Sequence, residues 1–211
     1  MELTQSPRTG DFVLSLANGT LSLDNGILGL GQNAVAGTVL GMALLAAAAA
    51  AVGAPTGNGA ITVGAIGPAA RPGIYKLVLV TAAAGAGTFN FYAPDGSLIR
   101  QVTVGGGIAA NDHIAITIAD GAADFIVGDT FAIAIADGEY TALVLAGTDG
   151  TQIAVGILHG GTNATAAATA VVVVARDAEV KVDALVWPGA ITQAQRDAAV
   201  AQLNARGIYL R

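Results

Sequence analysis

The chain has 211 residues and a net charge of −6, with 54% hydrophobic but only 11% charged residues and no Cys. No basic run is present to neutralise phosphates, which argues against nucleic-acid binding, and without Cys there are no disulfides or thiolate metal sites. The 29 Gly follow no three-residue period, so collagen is excluded and many short strands joined by Gly turns fit better.

In chain order, residues 1–11 mix Thr, Gln, Ser, Pro and Gly with charges, and the pattern predicts a mobile arm. Glu2 and Arg8 with no apolar stretch behind Met1 do not fit a secretory signal. Phe12, Leu14 and Leu16 alternate with Val13, Ser15 and Ala17, which predicts a short strand closed by an Asn18-Gly19 turn. Residues 20–33 read as a Gly-rich loop and Val35–Leu45 as a buried strand. Residues 34–54 lack charge over the length of a membrane span. They are mostly Ala and Gly with no flanking Lys or Arg, so a buried strand and an Ala-rich connector are expected. Ala46–Ala51 has helix propensity but is too short to stand alone.

A second unit is expected over about 54–136. Its candidate strands are 60–66, 74–82, 87–93, 98–104, 113–119 and 130–136, separated by turn signals such as Pro94-Asp95-Gly96 and Gly128-Asp129. This spacing predicts a small antiparallel sandwich. Ile-Ala-Asp-Gly occurs at 118–121 and 135–138, which reads as shared turn chemistry.

From 139 onward, strands are expected at 140–146, 152–158 and 169–175, the last buried on both faces because of its four consecutive Val. Asp149-Gly150 supplies a tight turn before Ile153, Val155 and Ile157. Thr192 and Gln195 form a capping box for a helix over 193–205, with Ala199, Val200 and Leu203 inward and Gly207 ending it. Leu185, Val186, Trp187 and Pro188 hold the chain's sole Trp. A ring of that size between apolar residues and Pro is read as a core or subunit-interface anchor.

No catalytic constellation emerges, and no enzyme activity, cofactor or metal is expected. His113 and His159 are far apart in sequence. Asp120, Asp124 and Asp129 cluster, but lack EF-hand spacing and read as turn residues. Ser6, Ser15, Ser22 and Ser97 lack a nucleophile elbow. The Gly runs 105–107 and 160–161 lack the Lys and helix of a phosphate loop.

The order of Tyr140-Thr-Ala, Asp149-Gly-Thr-Gln-Ile-Ala-Val-Gly-Ile-Leu158, Val171-Val-Val-Val-Ala-Arg-Asp-Ala-Glu-Val180, Asp183-Ala-Leu-Val-Trp-Pro188 and a short helix resembles the bacteriophage lambda-type head decoration proteins. Gly10-Asp-Phe-Val-Leu-Ser15 and Ala36-Gly-Thr-Val-Leu-Gly41 are similar to that family as well. The resemblance covers about 1–45 and 137–211. It implies a mainly β fold: a β-tulip-like base from 1–53 and 137–211 with one short C-terminal helix, plus the sandwich at 54–136 as an insertion. It further implies a homotrimer that cements the major capsid protein at three-fold positions on the outer surface of the expanded virion head. Thr9, Gly10, Asp11, Phe12, Val13, Leu14, Ser15 and Leu16 then belong to a capsid-binding arm over 1–16, and Trp187 with its neighbours anchors the core or the trimer. No nucleic acid and no membrane enter this reading. The alternative from another class is an adhesin-like or carbohydrate-binding β module.

Overall fold

The computed structural model describes residues 7–18, 20–110 and 113–211. The first six residues of the expected arm and Gly19 of the expected turn lie outside them. The strands, in order, are β1 Val13–Leu16, β2 Leu23–Leu28, β3 Gln32–Ala34, β4 Val39–Ala46, β5 Ala50–Val52 and β6 Ala60–Ile66. Then come β7 Gly73–Ala83, β8 Ala86–Tyr92, β9 Leu98–Thr103, β10 Gly107–Ile108, β11 Ile114–Ala119 and β12 Thr130–Ala142. β13 Gly156–Leu158, β14 Thr162–Ala164, β15 Thr169–Val174, β16 Ala178–Val180, helix α1 Gln193–Asn204 and β17 Ile208–Leu210 complete the chain. The fold is thus mainly β with one short C-terminal helix. None of the described residues forms a helix long and apolar enough to cross a membrane.

Two compact units emerge: the described residues up to Ala43 with Gly138–Gly147 and Thr151–Arg211, and Leu44–Asp137 with Thr148–Gly150. The chain passes from one to the other inside β4 and inside β12, and again on either side of Thr148–Gly150.

In the first unit, β2, β15, β13 and the first half of β4 lie side by side. β2 and β15 pair antiparallel over six residues, from Leu23 opposite Val174 to Leu28 opposite Thr169. β2 lies within residues 20–33, which read as a Gly-rich loop in the sequence. Its Gly26 explains the exception: a Cβ there would stand 2.3 Å from the Tyr140 ring, so the bare backbone admits the aromatic. In β15, Val171 and Val173 are buried in one apolar cluster and Val174 in another, while Val172 is partly exposed, so the expected burial on both faces holds only at the Val173–Val174 end. The strand expected over 152–158 is confined to β13, since the Ala154 N–H is taken by Gln202 Oε1 of α1 at 2.7 Å. Likewise β12 ends at Ala142 before a turn closed by Gly147 N–H to the Val144 carbonyl, 2.9 Å.

The capping box forms: Gln195 N–H donates to Thr192 Oγ1 at 3.3 Å and Thr192 N–H to Gln195 Oε1 at 3.0 Å. Ala199 and Leu203 bury the inner face of α1, while Val200 is only half-buried. The last strand, β17, pairs parallel with β16, and β1 pairs antiparallel on the other side of β16. One apolar cluster gathers Phe12, Val39, Ile157, Val174, Val180, Leu185, Leu203 and Ile208; a second gathers Leu28, Leu40, Tyr140, Leu158, Val171 and Val173.

The second unit is a two-layer antiparallel arrangement. β7, β8 and β9 run in succession with β12 on the far side of β7, and β5 pairs with β12. β10, β11 and β6 form the facing sheet. Tyr75, Leu77, Leu79, Phe89, Phe91, Ile133 and Ile135 from the first layer meet Ile114, Ile116 and Ile118 from the second in one core. The alternation seen in the sequence is the alternation of burial. Ala46–Ala51 forms no helix; it leads into β5.

Asp129 fastens a loop in this unit. It is buried, and its carboxylate accepts N–H bonds from Thr56 and Gly57 at 3.0 Å each and from Ile126 at 3.1 Å. Burial opposes its ionisation, but the backbone donors outweigh burial and hold the carboxyl below the usual carboxylate range. A lowered native pKa stabilises the fold above the usual carboxylate range and ceases to do so as pH falls through the native value. Asp129→Asn should therefore cost about 2–3 kcal/mol at neutral pH. The difference from wild type should close in acid, as read by urea unfolding at several pH values.

The crossing points carry a second expectation. Leu143 N–H donates to the Val39 carbonyl at 3.0 Å and Ala47 N–H to the Ala134 carbonyl at 2.8 Å, so β4 and β12 run antiparallel as neighbours and bring the two crossing points close together. Replacing Leu44–Asp137 by a short Gly linker should make a hairpin and leave the first unit folded. Circular dichroism and dispersed amide NMR signals check it; an unfolded product would show that the first unit needs the second.

Candidate functional site

The N-terminal segment is built into the first unit from Thr9 onward. Thr9–Phe12 form a turn: Gly10 N–H donates to the His159 carbonyl at 2.9 Å, and Val13 N–H to the Gly10 carbonyl at 2.9 Å. Lys181 holds this turn twice, with Nζ donating to the Asp11 carbonyl at 3.0 Å and its backbone N–H to the Phe12 carbonyl at 2.7 Å. Thr9–Asp11, expected as part of a mobile arm over 1–11, are instead held in this turn.

Within the segment the side chains part company. Phe12 is 1% exposed and sits in the core cluster, with Val13 packed partly against it. Leu14 and Leu16 are 49% and 37% exposed. Simple alternation would have set Phe12, Leu14 and Leu16 on one face. The register slips between Val13 and Ser15, opposite Val180 and Glu179, so Leu14 is the extra residue of an irregular step and Leu16 lies opposite Ala178 at the end of the strand. Ser15 donates to Glu179 at 3.2 Å. The guanidinium of Arg211, and then Ser15, hold the Glu179 carboxyl below the usual carboxylate range. The order β1–β16–β17 leaves one side of β1 without a strand neighbour among the described residues.

The Trp187 stretch lies in the same unit. Leu185 is buried in the core. Val186 is clasped by the 37–39 segment: its N–H donates to the Gly37 carbonyl at 2.9 Å, and its carbonyl accepts from Val39 N–H at 3.1 Å. Gly37 has φ 84°, and a Cβ there would stand 2.6 Å from the Ala184 carbonyl oxygen, so this crossing needs glycine. Trp187 and Pro188 are half-buried. The Trp187 ring lies 5.0 Å below the Arg196 guanidinium carbon. Its indole Nε1 is shielded and has no acceptor among the described residues. Beside the ring opens a cleft of about 270 Å³, lined among others by Asn33, Thr38, Val39, Leu143 and Pro188. The sequence marked Trp187 as an anchor; the cleft, formed by residues distant in the chain, had no sequence signal.

The remaining candidates hold structure. Asp124 accepts Gly85 N–H at 2.9 Å, Asp129 is committed to the backbone donors already described, and His113 Nδ1 lies 3.1 Å from the Tyr75 hydroxyl. No cluster of three or more His, Cys, Asp or Glu among the described residues is placed to hold a metal ion.

Phe12 and Trp187 now separate as stability determinants. Phe12→Ala should cost about 3–5 kcal/mol, as for a fully buried ring. Trp187→Ala, removing a half-buried ring, should cost about 2 kcal/mol. Equal losses in denaturant unfolding would mean that the two rings are equally buried.

Among curated proteins none matches this chain. Among solved structures, the crystal structure of Xanthomonas campestris FlgL is similar over 53% of this chain and 33% of that one, at 19% identity and a TM-score of 0.32. The chain thus spans about a third of the length of that structure. The sequence pattern of bacteriophage lambda head decoration protein D matches residues 2–208, nearly the full length and including the second unit. The chain belongs to the bacteriophage lambda head decoration protein D family, and its role is a structural one in the phage capsid.

Proposed function

We propose that this protein cements the expanded phage head from outside, as a homotrimer that binds the major capsid protein at three-fold positions and carries out no catalysis. The observation that supports the reading best is the open side of β1, flanked by the exposed Leu14 and Leu16. Such an edge takes an extended capsid segment by strand addition, in which main-chain hydrogen bonds give affinity and alternate side chains give specificity. Because Thr9–Leu16 is already ordered, little conformational entropy is lost there on docking, where ordering a free arm would cost roughly 1–2 kcal/mol per residue. Three copies acting together convert weak contacts into firm attachment. Leu185–Pro188 contribute through the Trp187 cleft, which in this reading faces a neighbouring subunit. A carbohydrate-binding role finds less support, since Tyr75, Phe89, Phe91, Phe125 and Phe131 are all spent in the core.

Phe12 belongs to the core, so deleting 1–16 would confound binding with folding. The sharper test leaves the fold in place. A variant lacking residues 1–8 and carrying Leu14→Ser and Leu16→Ser should remain folded but fail to decorate expanded capsids, whose melting temperature the wild type raises. Full occupancy by that variant, counted by cryo-EM, would remove β1 from the contact.

A further inference from the structure

A free sheet edge invites a second chain, and proteins commonly blunt such edges with a charge, a proline or a bulge. In the second unit, the sheet β10–β11–β6 ends on β6, and among the described residues nothing pairs with the outer side of that strand. Its sequence, Ala-Ile-Thr-Val-Gly-Ala-Ile, carries neither charge nor proline. No charged residue occurs between Asp24 and Arg71. β9, which ends the other layer, carries Arg100 in its middle.

β6 has one protective device. Ile114 and Ile116 lie opposite Ile66 and Val63, so β6 takes one residue more than β11 and bulges at Gly64–Ala65. Its regular part is Ala60–Val63. There Ala60 and Thr62 are exposed, while Ile61 and Val63 pack partly on the core. Beside this part lies an open groove of about 380 Å³ between Ile61–Gly64 and Ala46–Ala48. Backbone groups on this edge therefore have both open space and no repelling charge.

We propose that β6 pairs antiparallel with β6 of a second copy of this chain. A two-fold contact requires a patch complementary to itself, and an antiparallel pair of one strand with its own copy meets that by geometry. The side chains brought together, Ala60 and Thr62, are small and neutral. A chain of net charge −6 repels its copies in general, but this edge contributes nothing to the repulsion. A charged partner segment, by contrast, would find no counter-charge anywhere between Asp24 and Arg71.

The pairing has a restricted register. Hydrogen-bonded and non-hydrogen-bonded positions alternate along an antiparallel ladder, so each residue must face one of its own kind. The two-fold axis then passes through a residue. Either Thr62 faces Thr62, or Ile61 faces Ile61 and Ala60 faces Thr62.

The chain has no Cys, so an introduced thiol has no competitor. The variant T62C reports the first register and the double variant A60C/T62C the second; S97C, at an exposed turn of the same unit, is the control. Directly opposed side chains have Cβ atoms about 4.5–5.5 Å apart, so mild oxidation of the purified full chain should form disulfide dimers about tenfold faster in one of the first two than in S97C. Equal rates in all three would overturn the pairing. Thr62→Lys gives an independent reading without oxidation: it should weaken self-association measured by sedimentation over a range of concentrations, and unchanged association would count against the proposal.

Discussion

Phe12 leaves the N-terminal turn and enters the same apolar cluster as Val39, Val180, Leu185 and Ile208. Burying a ring of this kind is worth about 1.5–3 kcal/mol. Its carbonyl and that of Asp11 are held by Lys181. This insertion draws β1 against β16, and β16 in turn holds β17, so the beginning and the end of the described chain share one small sheet. Leu14 and Leu16 stay exposed while Phe12 is buried: β1 slips by one residue after Val13, which breaks the strict alternation of the three side chains.

Charge plays a minor part in this fold. Arg176 pairs with Asp24, and Arg211 with Glu179 at 2.8 Å, both at exposed positions where such pairs add little. The chief electrostatic constraint is Asp129, whose carboxylate replaces water with three backbone donors. Elsewhere the fold rests on apolar alternation and on close backbone approaches, as where Gly37 crosses Ala184 and Gly26 meets Tyr140.

Much of this architecture was legible in the sequence wherever side chains alternate strongly. β6 starts and ends at the expected residues, β7, β8, β9 and β11 fall within one or two of them, and Thr192 with Gln195 announces α1. The reading lapsed where tertiary contact overrides local pattern. β2 holds Asp24, Asn25 and Gly26 and has no periodicity of its own; its pairing with β15 and the Tyr140 ring make it a strand. The slip in β1 cannot be read from Phe-Val-Leu-Ser-Leu, because either phase of alternation is possible until the partner strand chooses one. The residues of the candidate site were named from sequence, but their division into buried Phe12 and exposed Leu14 and Leu16 was not. The cleft beside Trp187 joins residues 33–39, 142–143 and 186–188, which no local pattern connects.

Trp187 also gives the protein an optical property. It is the chain's sole tryptophan, so ultraviolet emission from indole comes from one place only. The ring packs against the Arg196 guanidinium and lines an open cleft, with its N–H shielded and without an acceptor among the described residues. Indole emission responds to the polarity and dipoles around the ring, so anything that fills the cleft or offers a carbonyl to that N–H changes the colour of the light. The molecule thereby carries its own spectroscopic gauge of occupancy at that position, readable in solution or on an assembled particle without an attached dye.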